Sequence, residues 1–410
     1  MTDLMVRQEH AHPIIEDFNV SLASENLMSL CSTEFEGRRV GTPGHDRAQV
    51  WLLEQMRGMG LASEIFTVPD VTVRDLYAAP VLSRLTKDGT LIRSYRHRSE
   101  FSEHPRSADL PEPIQGWAQG DRNGNLEGTW VMLETVPKGQ EFTLLTERVH
   151  NRGAIGILVP QRATSEDHLP KQLMSQDPVA LPVISLRAER LPEFEGSQVR
   201  ASVPLRTSMV EAGNVISRLS GSDPSLEKAP LILGAHFDGV GDDPVGHRIQ
   251  GAGDNAAGIA VVMEIARVIA NFYERPRRPI LIAAFDAEEV GAVGSRSFAN
   301  SLSEQGQMPL VINLDGAALF HEAVWVEPSP GSESLLQALD QAGHWLEIPL
   351  AVGNVASDNR QYARVGFPSV GLALGSFGMH SPADTMEHVD PEAMSMAGRL
   401  LLAVIWQIAF

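Results

Sequence analysis

Short apolar runs in the second half of the chain stop abruptly on residues that ionise or bind cations. Leu231–Ala235 ends at His236, Ile280–Phe285 at Asp286, and Leu310–Leu314 at Asp315. Each is too short for a buried helix and rich in Ile, Leu and Val, the texture of strands buried on both faces. Between the first two, Asn255 to Tyr273 sets Ile259, Val262, Met263, Ala266 and Ile269 on one helical face, and Met394 to Phe410 closes the chain as an apolar helix. Strand alternating with helix predicts α/β layering. In an open sheet of that kind the loops beyond the strand carboxyl ends converge on one crevice, so residues distant in sequence meet there.

Five polar clusters fall at such positions: His236-Phe237-Asp238, Asp254-Asn255, Asp286 with Glu288-Glu289, Asp315, and His380 within Met379–Thr385. Taken singly, each has an ordinary structural reading. Asp254 would cap the helix that follows it. Glu288 and Glu289 would form a solvated pair in a helix's first turn, favoured by its dipole. Gathered in one crevice, the imidazoles of His236 and His380 and the carboxylates of Asp254, Glu289 and Asp315 make a nitrogen and oxygen donor set that suits zinc, whereas calcium takes about six to eight oxygens. Cobalt or manganese could substitute for zinc. Paired ions lie about 3.5–4 Å apart, so these donors would serve both ions only if one carboxylate bridged them.

The rest of the chain divides by texture. Val20–Leu30 and Asp46–Met59 carry helical spacing around the Gly-rich segment Gly37–Gly44, and Gly60 supplies a stop. From Leu76 to Pro204 the pattern changes to short β-like runs, Trp130–Leu133, Ile155–Val159 and Pro182–Leu186, between polar turns. These shifts predict a division into 1–78, an inserted β-rich domain over 79–204, and 205–410. Arg93–Arg98 is the one basic knot, expected on an exposed hairpin face. His10, His12, His247 and His388 are expected in surface or packing roles, with His247 in a loop that could border the crevice.

Composition narrows the function. The 410 residues, 43% hydrophobic and 21% charged, suffice for a large core. Basic residues number 33 against 52 acidic, a net charge of −19 with no long Lys/Arg run, which excludes a nucleic-acid surface. The single cysteine, Cys31, can form no internal disulfide, and Met1–Pro13 lacks a basic segment followed by an apolar one. Both observations lead to an expected cytoplasmic location. No apolar run approaches the about 20 residues that cross a bilayer, so no membrane partner is expected.

Gly234–Asp238, Gly251–Gly258, Phe285–Gly291 with Gly294-Ser295, Asn313–Asp315 and His380–Thr385 together resemble the co-catalytic di-zinc aminopeptidases, a family that includes bacterial leucyl aminopeptidase, aminopeptidase Y and glutamate carboxypeptidase. The motifs stand in family order over Asn214 to Asp390, and Glu36 to Gly60 resembles the family's N-terminal helical segment. The resemblance implies a three-layer α/β/α zinc-peptidase fold with a mixed, mostly parallel sheet. It implies His236 and Asp315 on one zinc, Glu289 and His380 on the other, and Asp254 bridging them. It further implies Asp238 holding the His236 ring, Glu288 as general base toward a peptide substrate, and a cis peptide at Asp254-Asn255. Arg152–Leu158 and Leu181–Ser185 resemble the protease-associated domain that interrupts many of these peptidases.

This sequence departs from the family pattern in two places. Met379 stands where some relatives have a tyrosine that stabilises the oxyanion, and Asn359 follows Asp358 where a histidine is common. The same scaffold serves carboxypeptidases, dipeptidases, single-zinc glutaminyl cyclases and non-catalytic receptors, and these remain alternatives to an aminopeptidase.

Overall fold

The computed structural model describes residues 13–121, 124–173, 177–244 and 246–410; His10 and His12 lie outside these. Helix α1 (Val20–Leu30) starts where the Asn19 side chain accepts from the Ser21 and Leu22 amides. Helix α2 (Pro43–Gly58) starts at Thr42, with Pro43 in the first turn where its missing N–H leaves no bond unmade. Strand β1 (Ala62–Leu76) follows, and the chain then leaves it to build a separate sheet.

That second sheet contains β2 (Val81–Leu85), β3 (Leu91–Ser94), β4 (Phe101–Glu103), β5 (Leu110–Gly120), β6 (Thr129–Met132), β7 (Ala154–Gln161), β8 (Val183–Arg187) and β9 (Gln198–Val203), with α3 (Gln140–His150) between β6 and β7. Its order is β3-β2-β9-β5-β6-β7-β8-β4. Strand β10 (Leu205–Leu219) then pairs antiparallel with β1, from Ala62 opposite Arg218 to Leu76 opposite Leu205.

Strand and helix alternate from there: β11 (Leu231–His236), α4 (Ala257–Asn271), β12 (Ile280–Phe285), α5 (Val293–Glu304), β13 (Leu310–Leu314), β14 (Val324–Pro328), α6 (Glu333–Leu346), β15 (Leu350–Val352), α7 (Asn359–Arg364), β16 (Ser369–Ala373) and α8 (Pro391–Ala409). The first sheet runs β1-β10-β12-β11-β13-β16-β14-β15. It is parallel from β12 through β11 and β13 to β16, and antiparallel where β10 meets β12 and β14 meets β16.

Both faces of this sheet are covered. Leu231, Leu233 and Ala235, with Ile280, Ile282 and Ala284, pack in the core shared by α1, α2, α4, α6 and α8. The intervening residues Ile232, Leu281, Ala283 and Phe285 pack on the other side with Phe298 and Leu302 of α5 and Tyr362 of α7. Two-sided burial is why these strands read as unbroken apolar runs. The result is the expected three-layer architecture.

Helix α8 is the apolar helix expected over Met394–Phe410, begun three residues earlier. It has 19 residues at a mean hydropathy of 1.2, long and apolar enough by length and composition to cross a bilayer, yet 67% of it is buried inside the fold. Ser395 and Arg399 interrupt the apolar residues, so the sequence shows a helix without a continuous apolar run of that length.

In the basic knot Arg96 is exposed and Arg93 lies on the β2–β3 hairpin, but the expectation fails at Arg98. Arg98 is 1% exposed, not on a solvated hairpin face. Its Nε and Nη2 donate to the two oxygens of Asp243 at 2.7 and 2.8 Å, and Nη2 also donates to Glu103 at 2.6 Å. Asp243 belongs to the loop after β11, so this ion pair joins the two sheets. A partner 145 residues away leaves no local trace in sequence.

Candidate metal centre

The parallel ladder places the chain ends that matter side by side. His236 is the last residue of β11 and pairs with Phe285, the last of β12, while Gly234 pairs with Asn313 of β13. Asp286 and Asp315 therefore emerge near His236.

Asp254 lies in the irregular turn Ala252–Ala256 ahead of α4 and does not cap that helix. Its peptide bond to Asn255 is cis. The Asn255 Nδ2 donates to the Leu314 carbonyl at 2.8 Å, and its Oδ1 accepts from the Gly258 and Gly316 amides at 3.2 Å each. A Cβ at position 258 would stand 2.1 Å from that oxygen, so only glycine fits there. On the other side, the Asp384 carboxylate accepts from the Gly253 amide at 2.6 Å and the Asp254 amide at 3.2 Å, and burial pushes its pKa up to about 7.

Two donor groups result. Ligand atoms of His236, Asp254 and Asp315 lie within 4.8 Å of one another, and so do those of Asp254, Glu289 and His380. Asp254 is common to both, with one oxygen toward each: Oδ1 is 3.2 Å from His236 Nε2, and Oδ2 is 2.9 Å from His380 Nε2. Asp315 Oδ1 stands 3.5 Å from His236 Nε2, and Glu289 Oε2 stands 3.0 Å from His380 Nε2. His236 Nε2 and Glu289 Oε1 are buried with no hydrogen-bond partner. Leaving such atoms unpaired costs about 1–3 kcal/mol each, and a cation in each donor group would remove that penalty. Imidazole and carboxylate donors at this spacing fit zinc.

The protonation equilibria point the same way. Burial alone would lower the His236 and His380 imidazoles, but Asp315, Asp238 and Asp254 around the first, and Glu289 and Asp254 around the second, raise both well above the ordinary histidine range. Burial raises Glu289, with Asp254 adding to the effect, and raises Glu288 well above the carboxylate range, with Asp358, Asp315 and Glu289 adding. Each group calls for a positive charge that protons supply in the absence of a metal.

Asp238 does more than face a ring. Its Oδ1 is 3.5 Å from His236 Nδ1, but its shorter contacts are to the backbone, accepting from the Glu288 and Glu289 amides at 3.1 Å each. The His236 Nδ1 lies 3.2 Å from the Asp238 carbonyl. Asp238 thus fixes the turn that presents both glutamates.

Other candidates lie apart from the donors. Asp286 turns away, taking His45 Nε2 at 2.8 Å on one oxygen and the Gly213 amide at 2.7 Å on the other. His247 stands at the junction of the sheets, its ring 6.2 Å from that of His97. His388 is exposed and packs on Phe377. Met379 is half exposed, and Asn359 is buried with its Oδ1 accepting from the Ser357 amide.

Sequence reasoning missed several supports. His45 stacks on Phe237 behind the site. Arg38 donates to the carbonyls of Phe237, Gln250 and Gly251, pinning the loop that joins His236 to Asp254. Asp358 is buried beside the site, and burial pushes its pKa up to about 7, with Asp238 and Asp315 adding to the shift. The Gly-rich segment before α2 was the one local sign of the Arg38 contacts.

Residues 214–405 match peptidase family M28. The chain is 27% identical over 253 residues to aminopeptidase YwaD of Bacillus subtilis, covering 57% of this chain and 53% of YwaD. A longer match, 23% identical over 424 residues, covers 91% of this chain and 81% of the probable lipoprotein aminopeptidase LpqL of Mycobacterium tuberculosis. The chain thus spans about half the length of YwaD, and its match to the rat aminopeptidase NAALADL1 covers 25% of that protein. The likeness in fold extends over most of the chain: the structure of BSAP, a zinc aminopeptidase from Bacillus subtilis, superposes with a TM-score of 0.73 at 20% identity, covering 96% of this chain and 95% of that one.

Proposed function

We propose that this protein is a zinc-dependent aminopeptidase that binds two zinc ions and hydrolyses the N-terminal peptide bond of peptides. The observation that carries the reading is Asp254, whose two oxygens face the imidazoles of separate donor groups. In this reading His236 and Asp315 hold one ion, Glu289 and His380 the other, and Asp254 both. When bound, the ions acidify water and polarise the scissile carbonyl. Glu288 is the general base: it takes the proton from the attacking water and returns it to the leaving amine. Burial raises the Glu288 carboxyl above the ordinary carboxylate range, the direction that favours a base able to hold a proton and hand it on. Asp238 keeps Glu288 beside its ligand neighbour Glu289 through their amides.

Electrostatics favour the amino end of a peptide over the carboxyl end. The site is lined by carboxylates, and the nearby cations Lys171 and Arg98 are spent on Asp75, Asp243 and Glu103. An acidic cleft holds a free α-amine; a C-terminal carboxylate needs an unpaired cation.

The test is release of free amino acids from peptides with free and with acetylated N-termini, before and after chelation. Release from free N-termini alone, lost with the metal and restored by zinc, is expected. Equal cleavage of acetylated peptides, release from the carboxyl end, or ring closure of an N-terminal glutamine would overturn it.

A further inference from the structure

Lys171 lies between β7 and β8 of the second sheet and is completely buried. Its Nζ is 3.2 Å from both oxygens of Asp75 on β1 and 3.7 Å from Asp243 Oδ1. The same Nζ donates to the carbonyls of Gly241 at 3.2 Å and Asp242 at 3.3 Å. These carbonyls belong to the loop that leaves His236 and returns to Asp254. The backbone N–H of Lys171 donates to the carbonyl of His380 at 2.8 Å. His380 has φ +59°, a conformation that residues other than glycine seldom adopt and that persists only where neighbours enforce it. One residue of the second sheet therefore grips segments that carry the donors of both groups.

We propose that Lys171 is a positioning residue for the metal centre: its N–H holds the His380 backbone, its ammonium holds the loop between His236 and Asp254, and the second sheet thereby sets how tightly metal is bound. This rests on the two-ion reading above. Groups that orient ligands from behind typically change metal affinity by about 10- to 100-fold when lost.

Two measurements test it, with zinc alone as the probe. In Lys171→Met, competition with a chelator should show zinc held about 10- to 100-fold more weakly than in the wild type. In the wild-type protein, zinc loading should slow hydrogen exchange of the Lys171 amide itself. Binding linkage is reciprocal, so a contact that helps the ion bind must be tightened by the ion. The second measurement decides alone if the variant fails to fold. Wild-type zinc affinity in Lys171→Met, or an unchanged Lys171 exchange rate on zinc loading, overturns the inference while leaving the aminopeptidase reading intact. A wild-type chain that takes up no zinc overturns both.

Discussion

Two buried charge clusters meet in this molecule, and they are balanced in different ways. Around His236 and His380 stand Asp238, Asp254, Glu289 and Asp315, with Glu288 beside them, so carboxylates outnumber imidazoles. Around Asp243 stand Arg98 and Lys171, which also meet Glu103 and Asp75, and Arg39 pairs with Asp75 at 2.9 Å, so three cations offset three acids. Burying charge is costly unless opposite charge is present. The second cluster is complete as it stands and joins the two sheets. The first is completed only by protons or by cations from outside, which separates a binding site from a structural joint.

That contrast fixes what each cluster should do when altered. The largest effect expected is on turnover: Glu288→Gln should leave zinc content unchanged and lower kcat by about 10²–10⁴. Wild-type turnover in that variant would remove Glu288 as the base. Arg98→Met should do the reverse, leaving the donors in place while stranding Asp243 and Glu103 without their guanidinium. Breaking a buried pair from one side typically costs about 3–5 kcal/mol, readable as a lower denaturation midpoint. A variant as stable as the wild type would show that the junction is not held by charge.

Neutralising one acid in the incomplete cluster should have a smaller effect of opposite sign. Glu289→Gln removes a carboxylate that burial already holds in its protonated direction. The metal-free protein should gain on the order of 1 kcal/mol of stability while losing zinc affinity. Equilibrium unfolding in excess chelator reads the first and a zinc titration the second. A loss of metal-free stability would mean that the site is already balanced.

Much of the first cluster could be read from sequence because it lies on the first sheet. A strand buried on both faces is a continuous apolar run, and in His236, Asp286 and Asp315 the run ends where the crevice begins. The second cluster offered nothing comparable. Arg98 sits in a basic string that resembles a solvated face, and its partner Asp243 belongs to a loop of the other sheet. Lys171, Arg38 and His45 act through carbonyls, single acids or ring stacking contributed from distant segments, and contacts of that kind carry no periodicity. The direction of Asp286 was also hidden: it follows its strand as Asp315 does, but His45 draws it behind the site.

The remaining prediction concerns the imidazoles, which titrate in opposite senses in the two regions. In the second sheet, His104 packs on Phe142, and burial, helped by Arg106, lowers its pKa from 6.5 to about 4. The unfolded chain then binds the proton first, so the stability tied to neutral His104 is complete above pH 6.5 and is lost as pH falls toward about 4. His236 and His380 in the metal-free protein are raised instead. Their contribution is complete below the ordinary histidine pKa and is lost as pH rises through the folded values, and the raised Glu288, Glu289 and Asp384 act in the same direction. Hydrogen exchange of the chelated protein should therefore quicken around His104 in acid and around His236 and His380 in alkali. Zinc should abolish the alkaline change, because a cation replaces the protons, and leave the acid change at His104 untouched. Parallel responses in both regions would show that the two clusters are balanced alike and that the charge excess around Asp254 does not govern that site.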